Sequence, residues 1–402
     1  MSSAGLSPFH RAQGRALHGR TILQIIPRLE TGGAERTTID IAAALVQAGA
    51  RALVAAEGGR LASELQAVGG VLVPFPAATK NPIKMALNTR RLAQIMQAER
   101  VDILHARSRA PAWVALGACR MAKLPLVTTF HGAYGGGSML KLRYNSVMAR
   151  GDIVIANSQF TADMIARLYP QAQARIRLVH RGVNLLQFSP AMVEPSRVAR
   201  LRAEWGVEPD EPIVLLAARL TSWKGQKVLV EAARLLKAQG VEGVRYILAG
   251  DAQGRSAYVG ELDAFIEKSG LAGIVKRVGH CADMPAALKA ASIAVQASTE
   301  PEAFGRAAVE AQAMGALTIV SDLGAVPETV LAPPDAPAEA RTGWRVPPGD
   351  PAALAQALGG ALQLGATARE VIARRARAHV EANFSLDAMA NKTLDIYRQL
   401  LK

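Results

Sequence analysis

Cysteine is nearly missing from this 402-residue chain: Cys119 and Cys281 stand alone and far apart. That excludes a disulfide framework and a cysteine-based metal spacing, and it fits two reduced thiols in a cytoplasmic protein. Aromatic residues are few, at 4%, while alanine is plentiful, as in helix-rich α/β chains. No charge-free apolar window approaches the roughly 20 residues that a spanning helix needs. The first twenty residues, MSSAGLSPFHRAQGRALHGR, have basic residues but no apolar run behind them. They read as a loose tail, disordered over 1–20, and not as a signal peptide. No short repeat or low-complexity block occurs. Acid is scarce in one half only. Residues 1–185 hold 23 Lys+Arg against 9 Asp+Glu, and the remainder holds 24 of each. The whole +14 excess thus lies in the first half and predicts an anionic partner surface.

Half of the residues are hydrophobic, enough for substantial cores. Short apolar runs alternate with helical spacing: TILQI from 21, ALVAA (52–56), VLVPF (71–75), DILHA (102–106), PLVTTF (125–130), DIVIAN (152–157) and IRLVH (176–180). Continuous apolar strands between helices predict buried strands of a parallel sheet covered on both faces. The Asn81-Pro82 pair predicts a helix start. The rhythm breaks over 185–211, which reads as a linker with an entry helix. It restarts with IVLLAARL (213–220), RYILAG (245–250), IVKRVG (274–279), IAVQAS (293–298), LTIVSD (317–322) and GWRVPP (343–348). The expectation is α/β, with two doubly wound Rossmann-like domains over 21–185 and 186–379, facing an interdomain cleft. Ligands of such sheets bind at the carboxyl ends of the strands.

Three features of the second half suit a phosphate-bearing ligand. Arg219 and Lys224 follow its first strand, and two cations on a strand-to-helix loop suit a diphosphate. AGD (249–251) is a glycine turn after the second strand. In EAFGRAAVE (302–310), Glu302 precedes a helix starting near Phe304-Gly305, and Glu310 lies on it. A helix start offers free amides, and a carboxylate pairs with the two hydroxyls of a ribose. In the first half, Gly32-Gly33 separates the first strand and helix, which allows close approach of an anion. This is not G-x-G-x-x-G, so no nicotinamide cofactor is expected. His131 ends a strand before the GGG of 135–137, facing the same cleft.

The ordered set GGAER (32–36), TFHG (129–132), RGVN…FSP (181–190), ARLTSWKG (218–225), AGD (249–251) and E-A-F-G-x4-E (302–310) resembles family 4 glycosyltransferases of the GT-B fold. The resemblance covers residues 20–400, and the glutamate pair is the E-x7-E motif of that family. It implies a retaining enzyme that uses a nucleotide-diphosphate sugar as donor, with no cofactor and no metal. Glu310 would hold the ribose and Glu302 the sugar hydroxyls. Amides around Phe304-Gly305 would hold the sugar or diphosphate. Arg219 and Lys224 would stabilise the departing diphosphate, Gly32-Gly33 would close on it, and His131 would lie near the sugar. The last helix, 380–402, would pack back on the first domain. Two departures are Ala303, where glycine is frequent, and Asn184, where aspartate is.

The acceptor side varies most in the family. Here it holds HARSRAPAW (105–113) and GGGSMLKLRYNSVMARGD (135–152). Arg107, Arg109, Lys141 and Arg143 could face phosphates or acidic sugars. Met139, Leu140, Leu142, Val147 and Met148 among cations suit a segment lying on an anionic bilayer. These stretches are similar to enzymes that build lipopolysaccharide cores. They imply a glycolipid or oligosaccharide acceptor, at the inner face of the plasma membrane. Two other classes remain open: a soluble transferase acting on a small metabolite, and a non-enzymatic nucleotide- or nucleic-acid-binding protein. A neutral first half would favour the metabolite. Nucleic-acid binding would explain the charge but not the donor constellation, so no nucleic-acid partner is expected.

Overall fold

A computed structural model describes residues 17–30, 32–134 and 138–402. Most of the expected tail, 1–16, lies outside the described residues, as do Thr31 and Gly135–Gly137. Leu17 is buried, and its amide donates to the Ala48 carbonyl at 3.2 Å, so the packed chain begins before Thr21.

The chain divides into two compact units. The first holds residues up to Gly182 together with Leu386–Lys402, and the second is Val183–Ser385. The first contains β1 (Thr21–Ile25), β2 (Arg51–Ala56), β3 (Val71–Pro74), β4 (Ile103–Ala106), β5 (Leu126–Phe130), β6 (Ile153–Ala156) and β7 (Ile176–Leu178). They form one parallel sheet in the order β3-β2-β1-β4-β5-β6-β7. Side chains alternate across it. Leu23 and Ile25 of β1 join Leu53, Leu104 and Leu92 on one face. Ile22 joins Val54, Ile103, Leu45, Leu394 and Tyr397 on the other. The last two lie on the helix Leu386–Leu400, which packs against the helix Gly33–Gln47. Asn81 caps the helix Pro82–Ala98 by accepting from the Ile83 and Lys84 amides at 3.0 and 3.1 Å.

The second unit contains β8 (Ile213–Ala217), β9 (Arg245–Ala249), β10 (Val275–Gly279), β11 (Ile293–Gln296), β12 (Leu317–Ser321) and β13 (Trp344–Val346). Its parallel sheet runs β10-β9-β8-β11-β12-β13. In both sheets the strand order reverses once, between β1 and β4 and between β8 and β11. Such a switch point opens a crevice at the carboxyl ends.

Three expectations need correction. Strands β3, β7 and β10 are not buried throughout, because they are sheet edges with one flank unpaired. The 185–211 segment carries the expected entry helix, Pro195–Glu204, but the linker around it is packed. Val193, Leu201, Trp205 and Val207 enter a core of the second unit, and Arg197 grips Asp283 through two bonds of 2.8 and 2.6 Å. The helix Ala366–Asn383 runs past residue 380 and stays with the second unit through Val380, so the return begins at Leu386.

Candidate functional site

In the second unit the loops after β8, β9 and β11 meet because glycines let them. A methyl built on Gly250 would lie 1.8 Å from the Ala218 carbonyl oxygen. One on Gly225, whose φ is +76°, would lie 1.8 Å from that of Ala297. The Thr299 amide then donates to the Trp223 carbonyl at 2.8 Å. This contact brings Lys224 onto Glu302, 78 residues away, as a direct ion pair. Both side chains are largely buried. The ammonium also sits 4.3 Å from the Trp223 ring centroid, and Ser298 Oγ donates to Glu302 Oε1 at 2.7 Å. Three partners thus fix one lysine and one carboxylate. Arg219 is exposed, and its guanidinium enters no ion pair among the described residues. Its carbonyl accepts from Gln226 Nε2 at 2.9 Å.

The helix Arg306–Ala313 starts after Gly305, whose φ of +84° favours glycine. Glu310, on that helix, is 8% exposed, and its Oε1 accepts from Arg306 Nε at 2.5 Å. Glu302 and Glu310 therefore both keep an acidic edge, each beside one cation. Only the backbone of Phe304 was expected to meet a ligand, and its side chain is accounted for by packing. It is buried edge-on against Phe384 at 5.6 Å, so the ring belongs to the core and offers a ligand no surface. Gln296, at the end of β11, was not foreseen. It is buried beneath Gly305, and both atoms of its amide lack a partner among the described residues.

In the first unit, His131 directly follows β5. Arg181 Nη2 lies 3.1 Å from His131 Nδ1 and donates to the His131 carbonyl, also at 3.1 Å. A guanidinium can only donate, so Nδ1 accepts and Nε2 carries the proton. Burial holds this ring well below the ordinary imidazole pKa, and the Arg181 and Arg107 charges push the same way. It is a neutral donor. A methyl on Gly33 would lie 2.4 Å from Arg181 Nη1, so the expected close approach at the Gly32-Gly33 turn is made by an arginine of the same unit. Arg181 stood in the RGVN motif without a role; its pairing with His131 is visible only in three dimensions.

The four acceptor-side cations separate. Arg107 is only 2% exposed and does not face outward. It continues β4 into the sheet edge, where its Nε donates to Gln24 Oε1 at 2.6 Å. Arg109 is turned inward to Asn145 Oδ1 at 3.1 Å and stacks 4.5 Å from the Tyr134 centroid. Lys141 and Arg143 are exposed on the helix Met139–Asn145. In the same segment Met139 and Leu140 are 81% and 80% exposed, whereas Val147 and Met148 belong to the core. Among the described residues no group of His, Cys, Asp or Glu could hold a metal ion, and no helix is long and apolar enough to cross a membrane.

Comparison with known proteins assigns both units. Residues 31–186 match the model of Glycosyltransferase Family 4, and residues 198–379 match that of Glycosyl transferases group 1. The crystal structure of a glycosyltransferase from Rickettsia africae superposes with a TM-score of 0.86 at 34% identity, covering 95% of this chain and 99% of that one. The chain belongs to the family 4 glycosyltransferases, of the GT-B fold. Another solved structure, HepE of Anabaena in complex with UDP and glucose, has a TM-score of 0.81 at 26% identity, covering 94% of this chain and all of that one. Among curated relatives, the D-inositol 3-phosphate glycosyltransferase of Jonesia denitrificans is 31% identical over 260 residues, or 63% of this chain. That match spans 58% of the relative's own length.

Proposed function

We propose that this chain is a retaining hexosyltransferase. Its donor is a uridine-diphosphate sugar, and its acceptor is a lipid-linked or lipopolysaccharide-type glycan at the cytoplasmic face of an anionic membrane. The observation that carries the donor half is the Lys224–Glu302 ion pair, with Glu310 on the helix that follows Gly305. Glu310 takes the ribose hydroxyls, and Glu302 the sugar hydroxyls. Lys224 and Arg219 meet the diphosphate as its negative charge grows on bond cleavage, the largest electrostatic task of the reaction. Gly305 opens the helix that presents Glu310. His131 Nε2–H suits a sugar hydroxyl, and Gly32-Gly33 with Arg181 suits an anion. The UDP-and-glucose complex of the Anabaena relative supports the choice of nucleotide.

The acceptor half rests on the surface of the first unit. Met139 and Leu140 stand out beside Lys141 and Arg143, and Ile83 and Leu87 beside Lys80 and Lys84. The helices that carry them both start after carboxyl ends of strands, β5 and β3. Apolar tips among cations suit an anionic bilayer, at about 1 kcal/mol per basic residue near the surface. A second reading, transfer to a small phosphorylated polyol, is favoured by the name of the curated relatives.

The test is thermal unfolding against a panel of nucleotide-sugars, then transfer with the donor that protects. At about 100-fold over Kd a donor should add roughly 2.7 kcal/mol and raise Tm by about 5 °C or more. Protection by none of the panel would refute the donor reading. Transfer to inositol phosphate and not to extracted glycolipid would replace the first acceptor by the second.

A further inference from the structure

Within the first unit, below the carboxyl ends of β4, β5 and β6, lies a small polar cavity lined by Thr37, His105, Arg107, Thr129, His131 and Asn157, among others. It gives the centre of a water-sized sphere about 20 Å³, above the roughly 10–15 Å³ needed for one water. Its walls are unusually short of partners. Arg107 Nη2 and both polar atoms of the Asn157 amide are buried with no hydrogen bond among the described residues. Arg107 is 2% exposed and Asn157 1%. His105 offers nothing to fill the gap, since Nδ1 is bonded to Tyr397 Oη at 2.6 Å and Nε2 to Thr129 Oγ1 at 2.7 Å.

The charge balance decides what belongs there. Burial pushes the Arg107 guanidinium down to about 10, so it stays charged at neutral pH. The Tyr397 hydroxyl and the Asp40 carboxylate favour that charge, yet neither lines the cavity. Its hydrogen-bonded neighbour Gln24 is neutral. Burial also keeps His105 well below its ordinary value, with help from the Arg107 charge, so the cations lining the cavity are Arg107 and Arg181. A buried guanidinium with an empty N–H is costly unless an acceptor, preferably an anion, meets it.

We propose that this cavity binds one small monovalent anion of the halide class, held by Arg107 Nη2 and the Asn157 Nδ2 amide. The space of about 20 Å³ suits a single ion close to water in size. The ion would complete the sheet edge on which His131 is mounted, and it would be a resident of the fold, separate from the donor.

The test compares Tm in sodium chloride or bromide with Tm in sodium gluconate, whose anion cannot enter, at one ionic strength. The wild type should gain a saturable increment of about 3 °C in halide. Asn157→Asp places a carboxylate against Arg107, and this variant should lose the increment. Crystals grown in bromide should show an anomalous peak between Arg107 and Asn157, which decides the matter even if the variant does not fold. Equal Tm in halide and gluconate, an increment kept in Asn157→Asp, or a bromide-free cavity would each overturn the proposal. In that case the cavity holds water.

Discussion

The two units share a strand order but treat their buried charges in opposite ways. In the second unit, cations and acids at the carboxyl edge are matched: Lys224 with Glu302, Arg306 with Glu310. In the first, Arg107 meets the neutral Gln24, and His131 is neutral. A matched pair is pre-oriented and can exchange one partner for a ligand. An unmatched buried cation calls for an acceptor from outside the chain. The doubly wound frame is thus the same, while the chemistry at its edge differs by a few side chains.

The largest expected effect breaks a matched pair. Lys224→Ala leaves Glu302 held by Ser298 and removes a cation aimed at the leaving diphosphate. Turnover should fall about 10²–10³-fold. A single-turnover transfer assay reads this directly, and a loss under threefold would remove Lys224 from the chemistry.

Glycines sharpen the comparison next. Gly250→Ala drives a methyl into the backbone oxygen of Ala218 and should cost about 2–3 kcal/mol. Gly33→Ala meets only the end of the flexible Arg181 side chain and should cost well under that. Urea unfolding of the two variants gives the ranking; equal costs would show that the loops after β8 and β9 can move apart.

The pH response should come from the first unit. His105 and His131 are held neutral in the fold, below the ordinary value of about 6.5. Below that pH the unfolded chain binds protons that the folded chain does not, so stability falls with acid, by up to about 1.4 kcal/mol per pH unit for each ring. Above it this contribution is fully present. Urea midpoints at pH 7.5 and 5 should differ in the wild type and differ less in His105→Gln. An unchanged difference would assign the acid sensitivity elsewhere.

The smallest effect concerns the surface. Replacing Lys141, Arg143 and Arg150 by glutamine should weaken co-sedimentation with anionic vesicles, by about 1 kcal/mol per charge at low salt and less at high salt. Nucleotide binding should be untouched. Equal binding to neutral and anionic vesicles would undo the charge argument.

Much of the fold was legible because parallel strands buried on two faces are written as continuous apolar runs. DIVIAN and LTIVSD each became a strand within a residue or so. Edges were not legible, since IRLVH looks apolar whether or not a neighbour covers it. The donor residues stood out as cations and acids beside glycine turns. That Lys224 and Glu302 would bond was not, as their contact depends on Gly225 lying against Ala297, two loops apart in the fold. Arg107 was misread for the same reason. Next to Ser108 and Arg109 it looks like a surface cation, but it sits one residue past the end of β4, still inside the sheet edge. Phe304 stood in a binding motif, and only the packing on Phe384 shows that its ring is structural.

The central claim is that one carboxylate on the helix Arg306–Ala313 holds the nucleoside while the cations before it serve the diphosphate. Calorimetric titration of UDP tests it most directly, with wild type, Glu310→Ala and Lys224→Ala, in the presence of chelator. Loss of a charged hydrogen-bond partner is worth about 1.5–3 kcal/mol, so Glu310→Ala should weaken Kd about 10–100-fold. Lys224→Ala should change it less. A Glu310→Ala protein that binds UDP as tightly as the wild type would contradict the account.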